Sequence, residues 1–135
     1  MRNEAKKTEA RRRGDFGERA AARYLRLRFY RILERNWFFY RKEIDIIAKR
    51  GGTLVFCEVK TRTCEGAPSP YGSPAQAVTT EKQKNLLLAA EGYLRKLGKR
   101  PRVRMDVIEV YLKRNPSSDN VKIDRIVHIQ NAFTA

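Results

Sequence analysis

Cysteine, histidine and negative charge are what this sequence has least of. Its two cysteines, Cys57 and Cys64, lack the spacing and partners of a zinc cage, and both suit a reducing compartment. The single histidine, His128, falls on a late strand and reads as a packing residue, not a catalyst. No apolar run approaches membrane-spanning length. The basic start, Met1–Lys7, is not followed by the apolar segment of a secretory signal. The expected location is therefore the cytoplasm, with no membrane association. Acids are outnumbered 15 to 30 by Lys and Arg, so the net charge is +15 and the pI about 10.3. Such a field favours a polyanion as partner. What is present excludes disorder: 41% hydrophobic residues, with six Phe and six Tyr, in 135 residues that suit one domain with a proper core.

Residues 1–13 are basic without periodicity and read as a flexible arm ahead of one domain at 14–135. A helix is expected after Asp15, with Ala20, Ala21, Tyr24 and Leu25 on its apolar face and Arg19, Arg23 and Arg26 as a basic stripe. Arg31–Tyr40 predicts a short strand with an aromatic edge. Glu43–Ala48 and Leu54–Arg62 predict two more, joined by the turn signal Lys49-Arg50-Gly51-Gly52. Cys64–Pro74 holds three of the five prolines and is a loop placed to cover a cleft. A second helix starts at Thr79 or Thr80, buries Leu86, Leu87, Ala90, Leu94 and Leu97, and ends at Gly98 and Pro101. Arg102–Leu112 and Val121–Ile129 read as strands around a turn at Asn115–Asn120. Helix, three strands, helix, two strands is the order of an α/β sheet with helices packed on it.

One strand breaks its own pattern. Leu54, Phe56, Glu58, Lys60 and Arg62 share a face. That face turns from apolar to charged half-way, as a strand leaving a covered core for an active cleft would. In a hairpin, Asp45 comes beside Glu58. Two carboxylates and a lysine at a sheet end are what a hard divalent cation and an attacking water require. Alternatively, Glu58 and Lys60 form a surface ion pair on an edge strand. Asp45, flanked by Ile44 and Ile46, needs a partner if buried, either a metal or Lys60. Asp15-Phe16-Gly17-Glu18 fits a capping box, which competes with a site role for Glu18. Thr80-Glu81-Lys82-Gln83 fits another, and there the cap is preferred. Asp106 is expected to pair with a nearby Arg or Lys. Trp37 and Tyr71 are packing residues or stacking platforms for unpaired bases. The cationic surface for phosphates is placed at Arg11, Arg12, Arg13, Arg19, Arg23, Lys42, Arg62 and Lys82.

Asp45 followed by Glu58-Val59-Lys60, thirteen residues on, resembles the core of the PD-(D/E)XK nucleases. Gly14-Asp15-Phe16-Gly17-Glu18-Arg19-Ala20-Ala21, Glu43–Ala48, Phe56–Arg62 and His128–Phe133, in this order, are more similar still to the YraN-like uncharacterised family, which resembles archaeal Holliday junction resolvases. Lys42 departs from it, standing where the family usually has Gly. The resemblance implies a restriction-endonuclease-like mixed central sheet flanked by helices. It also implies a Mg²⁺- or Mn²⁺-dependent deoxyribonuclease acting on DNA, branched DNA included. Asp45, Glu58 and the Val59 carbonyl would hold the metal, Lys60 and Glu18 would complete the catalytic set, and the assembly would be a homodimer. The rival expectation is a non-catalytic nucleic-acid-binding protein that keeps the fold.

Overall fold

The computed structural model describes residues 2–63, 78–114 and 120–134, with side chains in the first helix from Ala10 onward. Cys64, Tyr71, the proline-rich loop and most of the Asn115–Asn120 turn lie outside the described residues. The elements are α1 (Arg2–Leu27), β1 (Arg31–Phe39), β2 (Lys42–Arg50), β3 (Thr53–Thr63), α2 (Thr80–Leu97), β4 (Arg102–Arg114) and β5 (Val121–Ile129). The five strands form one sheet in chain order. All neighbours are antiparallel except β3 and β4, which α2 joins by a crossover, the connection that parallel strands need. This is the expected α/β architecture of a mixed sheet flanked by helices.

The alternation along β3 divides the core. Val55, Cys57 and Val59 join Ala21, Leu25 and Ile108 in a cluster under α1. Leu54 and Phe56 join Leu86, Tyr93 and Val107 in a second cluster under α2. Trp37 belongs to this second cluster. It is half-buried and packs edge-on against Tyr93 with ring centroids 5.2 Å apart, the packing role expected of it. Both helix ends of α2 follow from its sequence. Thr79 caps it, its hydroxyl accepting from Lys82 N at 3.1 Å. Gly98 closes it in the left-handed region, φ 73°, and donates to the Leu94 carbonyl. Gln83 does serve this helix start, but by donating its side-chain amide to the Val78 carbonyl at 3.0 Å.

The first helix corrects the sequence reading. It begins at Arg2, not after Asp15, so residues 2–13, expected as an arm, continue the helix. Asp15 then lies in a helix interior, and the capping-box reading of Glu18 falls. The interior Gly14 and Gly17 concealed this continuity, since glycine disfavours helix. Gly17 has a packing reason: a Cβ there would collide with the Thr61 side chain of β3. Gly17, Ala21 and Leu25, four residues apart, lay one stripe of α1 on the sheet.

Asp106 is fully buried and fully partnered. Arg104 donates to both its oxygens at 2.9 Å, His128 Nε2 lies at 2.6 Å, and Asn131 N donates at 2.9 Å. The expected Arg partner is thus Arg104, which also donates to the Tyr30 hydroxyl. His128 is the expected packing residue, with Tyr24 and Tyr30 edge-on against it. Burial pushes the Asp106 carboxyl up, but these donors hold it below its ordinary value.

The two glycines of α1 give opposite expectations. Gly17→Ala must displace Thr61 or the helix and should cost about 1–3 kcal/mol. Gly14→Ala meets nothing within 4 Å and should gain up to about 1 kcal/mol from helix propensity. Urea unfolding of both variants checks the pair, and equal effects would contradict the close approach at Gly17.

Candidate metal and phosphodiester site

The site is built where two paired strands part. The β2–β3 ladder runs from Arg50 opposite Thr53 to Ile46 opposite Cys57. Beyond it the Asp45 side chain takes over, its Oδ2 accepting the Val59 N–H at 2.8 Å. A carboxylate thus replaces a ladder carbonyl and is held in a fixed direction at the opening. Glu58, the residue preceding Val59, is 4% exposed and Asp45 8% exposed. The edge-strand ion-pair reading therefore fails: β3 is the central strand and Glu58 is core-buried.

Two acids share this opening, and its electrostatics follow. Burial and the Glu58 charge drive the Asp45 pKa from 3.8 to about 8, against the Val59 hydrogen bond, which lowers it. Lys60 Nζ lies 3.3 Å and Lys82 Nζ 3.8 Å from Glu58 Oε2. The lysine partner of this site is thus matched to Glu58, not to Asp45 as one alternative had it. Glu58 Oε1 is a buried side-chain oxygen with no hydrogen-bond partner. A buried acceptor left unpaired is costly; a proton shared with Asp45, whose carboxyl is also raised by a hydrogen bond to Glu58, or a cation would satisfy it.

Helix α1 delivers Glu18 to the same end of the sheet. Asn36, at φ 51°, donates to Glu18 at 2.7 Å and to Glu43 at 3.0 Å. Arg35 stands 4.0 Å from Glu18. Burial raises the Glu18 pKa, Asn36 opposes it, and Glu43 adds to it. Glu18, Val59 and Lys60 line a cleft of about 360 Å³ between α1 and β3, together with Arg13 and Arg62.

Among the residues expected to meet phosphate, Arg11, Arg12, Arg19 and Arg23 are exposed on α1, while Arg13 and Lys42 are half-buried. Lys82 turns to Glu58, as above. Arg62 is committed to Glu109 by a 2.6 Å contact between its Nε and the Glu109 carboxylate. Sequence reasoning passed over Glu109, another buried acid at 1% exposure, opposite Lys60 in the β3–β4 ladder. Its signal was available: it shares a face with Val107 and interrupts an apolar strand, as Asp45 does. Asn36 and Glu43 were also passed over as site residues, Asn36 because an aromatic run hid it. Among the described residues no group of three or more His, Cys, Asp and Glu side chains is arranged to hold a metal. Further ligands for a cation would be the Val59 carbonyl, water and substrate oxygen, the mixture Mg²⁺ ordinarily takes.

Residues 17–110, which contain Glu18, Asp45, Glu58 and Lys60, match the uncharacterised protein family UPF0102. The chain belongs to that family. A UPF0102 protein of Chlorobaculum parvum is 48% identical over 122 residues, covering 89% of this chain and 90% of the relative. One of Symbiobacterium thermophilum is 46% identical over 127 residues, covering 93% and 99%. One of Rhodococcus jostii is 42% identical over 121 residues, covering 89% and 94%. The UPF0102 match bears out the resemblance to the YraN-like family, and it spans the Glu43–Ala48 and Phe56–Arg62 motifs. Among the described residues, no helix of this UPF0102 chain is long and apolar enough to cross a membrane.

The carboxylate pair has a pH signature. The Asp45 pKa is raised on folding, from 3.8 to about 8, so the fold prefers its protonated form. That contribution is fully present below the unfolded pKa and is lost as pH rises toward 8. In chelator, Asp45→Asn, whose Oδ1 can still accept from Val59, should melt above wild type at pH 9, with the gap closing at pH 5. A structural ion pair at Asp45 predicts the reverse, a variant that melts lower at every pH.

Proposed function

We propose that this UPF0102 protein is a divalent-metal-dependent endonuclease that hydrolyses DNA phosphodiesters, branched DNA among its substrates, on a PD-(D/E)XK-type core. One observation carries the reading: two buried carboxylates meet at the opening between β2 and β3, with a bare Glu58 oxygen, in a chain of net charge +15. A protein that only bound nucleic acid would gain nothing from buried acids facing a polyanion.

Asp45, Glu58 and the Val59 carbonyl would hold Mg²⁺ or Mn²⁺. Such an ion, when bound, supplies Lewis acidity toward a phosphate oxygen and lowers the pKa of water. The chain's own groups do the rest. The Val59 N–H keeps Asp45 aimed into the opening. The Lys60 side chain, 32% exposed beside Glu58, can donate to a phosphate oxygen and offset the charge that grows there as water adds and an ester oxygen leaves. Glu18, steered by Asn36, can accept a hydrogen bond from water across the cleft. Exposed arginines of α1 supply affinity without sequence choice, because phosphate contacts carry no base information. Arg62, paired with Glu109, borders the cleft as a phosphate donor whose charge is half-neutralised. We also infer a homodimer, since two strands cut symmetrically need two centres, and sedimentation with and without DNA tests this.

The test is cleavage of duplex, flap, four-way-junction and single-stranded DNA with Mg²⁺, Mn²⁺ or chelator. Wild type should cut at least one substrate with metal only. Asp45→Asn and Glu58→Gln should abolish cleavage while binding DNA in chelator as tightly as wild type or more so, since negative charge is removed. Lys60→Ala should lose cleavage, by about 10²-fold or more, and keep the Mn²⁺-induced rise in melting temperature. No metal-dependent cleavage of any of these by wild type, with the metal leaving its melting temperature unmoved, would overturn the proposal. Duplex affinity should fall with salt at a log–log slope on the order of −0.9 per phosphate contact, and a flat response would exclude phosphate-dominated binding.

A further inference from the structure

The turn between β1 and β2 is built against the usual rules. Phe39 pairs with Lys42, so Tyr40 and Arg41 alone close the hairpin. Two-residue hairpin turns favour Asn-Gly and similar pairs because left-handed backbone is required. Here Tyr40 takes that conformation, φ 58°, with a bulky ring that such backbone disfavours. The ring is not buried in return. Tyr40 is 84% exposed and its neighbour Phe38 57% exposed.

What lies beneath Tyr40 is fixed. Phe39 occupies the space that a side chain at Gly92 of α2 would need. It lies parallel to Trp37 at 6.4 Å between ring centroids, and Trp37 abuts Tyr93. Tyr40 then stands edge-on to Phe39 at 4.7 Å. A column of rings anchored on α2 thus ends in an exposed tyrosine. Charge surrounds it: Arg41 is exposed and Lys42 half-buried. Lys42 closes this tip on the β2 side.

The tip is also close to the carboxylates. Phe38 faces Glu43 across the ladder, and Glu43 is two residues from Asp45. At a rise of about 3.3 Å per strand residue this is about 7 Å along β2 for Phe38 and, three residues out at Lys42, about 10 Å or more for Tyr40, roughly two to three nucleotide steps of about 3.4 Å on one DNA strand. Exposed aromatic faces flanked by cations are suited to nucleobases, whose stacking is tolerant of sequence, and the cations suit the adjoining phosphates.

We propose that the Phe38–Lys42 hairpin tip is a base-stacking platform that binds an unpaired DNA base two or three steps from the phosphate held at Asp45 and Glu58, and so favours DNA with unpaired bases over intact duplex. This rests on the nuclease reading for the position of the phosphate. The basic tip fits nucleic acid better than an apolar protein partner, which would have to bury Arg41.

The test is binding, in chelator, to single-stranded, flap and blunt duplex DNA by fluorescence anisotropy, for wild type, Tyr40→Gly, Phe38→Ala and Tyr40→Phe. Glycine accepts the left-handed turn, so Tyr40→Gly should melt within a few degrees of wild type. Its affinity for single-stranded and flap DNA should fall about tenfold, in keeping with the loss of one stacked base, and its duplex affinity should hold. Phe38→Ala should behave likewise, and Tyr40→Phe should retain wild-type affinity. Equal affinity of Tyr40→Gly and wild type for all three DNAs, or an equal loss on all three, would overturn the platform while leaving the nuclease proposal intact. Wild type that binds none of them would overturn both.

Discussion

Two carboxylates crowded into one buried opening are the constraint on which this structure turns. Asp45 and Glu58 come from neighbouring strands, and they are 8% and 4% exposed. Water is too scarce there to screen them, so one must hold a proton, lie against a cation, or bind a metal. The fold offers Glu58 two lysines on one oxygen and leaves the other bare. For Asp45 it offers a single backbone donor, too little to bring its pKa back to an ordinary value.

The scaffold makes sense as support for that opening. Small residues on α1, among them Gly17 and Ala21, let the helix lie close on β3, and this brings Glu18 to the sheet end. The α2 crossover makes β3 and β4 parallel, which sets Glu109 opposite Lys60 and so ties Arg62 to the cleft edge. Away from the opening, Asp106 shows what a buried acid looks like in a purely structural role. Four hydrogen bonds from three residues satisfy it, and its pKa is lowered. Asp106 and Asp45 thus differ within a single protein, one carboxyl held below its ordinary value and the other driven above it.

Much of this was legible in the chain. The alternation in Leu54–Arg62, the Gly51-Gly52 turn and the Thr79–Gly98 helix each carry a local physical signal that tertiary contacts reinforce. The polarity switch on β3 pointed to Glu58 and Lys60 because a strand reveals its faces by parity. What stayed hidden needed three dimensions. The start of α1 was masked by Gly14 and Gly17, where propensity argued against a helix that packing sustains. Whether Lys60 met Asp45 or Glu58 depended on side-chain direction at a diverging ladder. Trp37 could not be assigned to core or surface without Tyr93 of α2, more than fifty residues away. Phe38 and Tyr40, read only as an aromatic edge, emerged as the exposed ones.

The most direct test of the central claim is calorimetry of Mn²⁺ binding at pH 7, repeated in buffers of different ionisation enthalpy. A cation that enters between Asp45 and Glu58 must displace the proton that the pair retains, so binding should release about one proton per ion. The release should vanish in Asp45→Asn, and binding itself should weaken in Glu58→Gln. Mn²⁺ heats that are absent, or unchanged in both variants, would show that the carboxylate pair holds no metal.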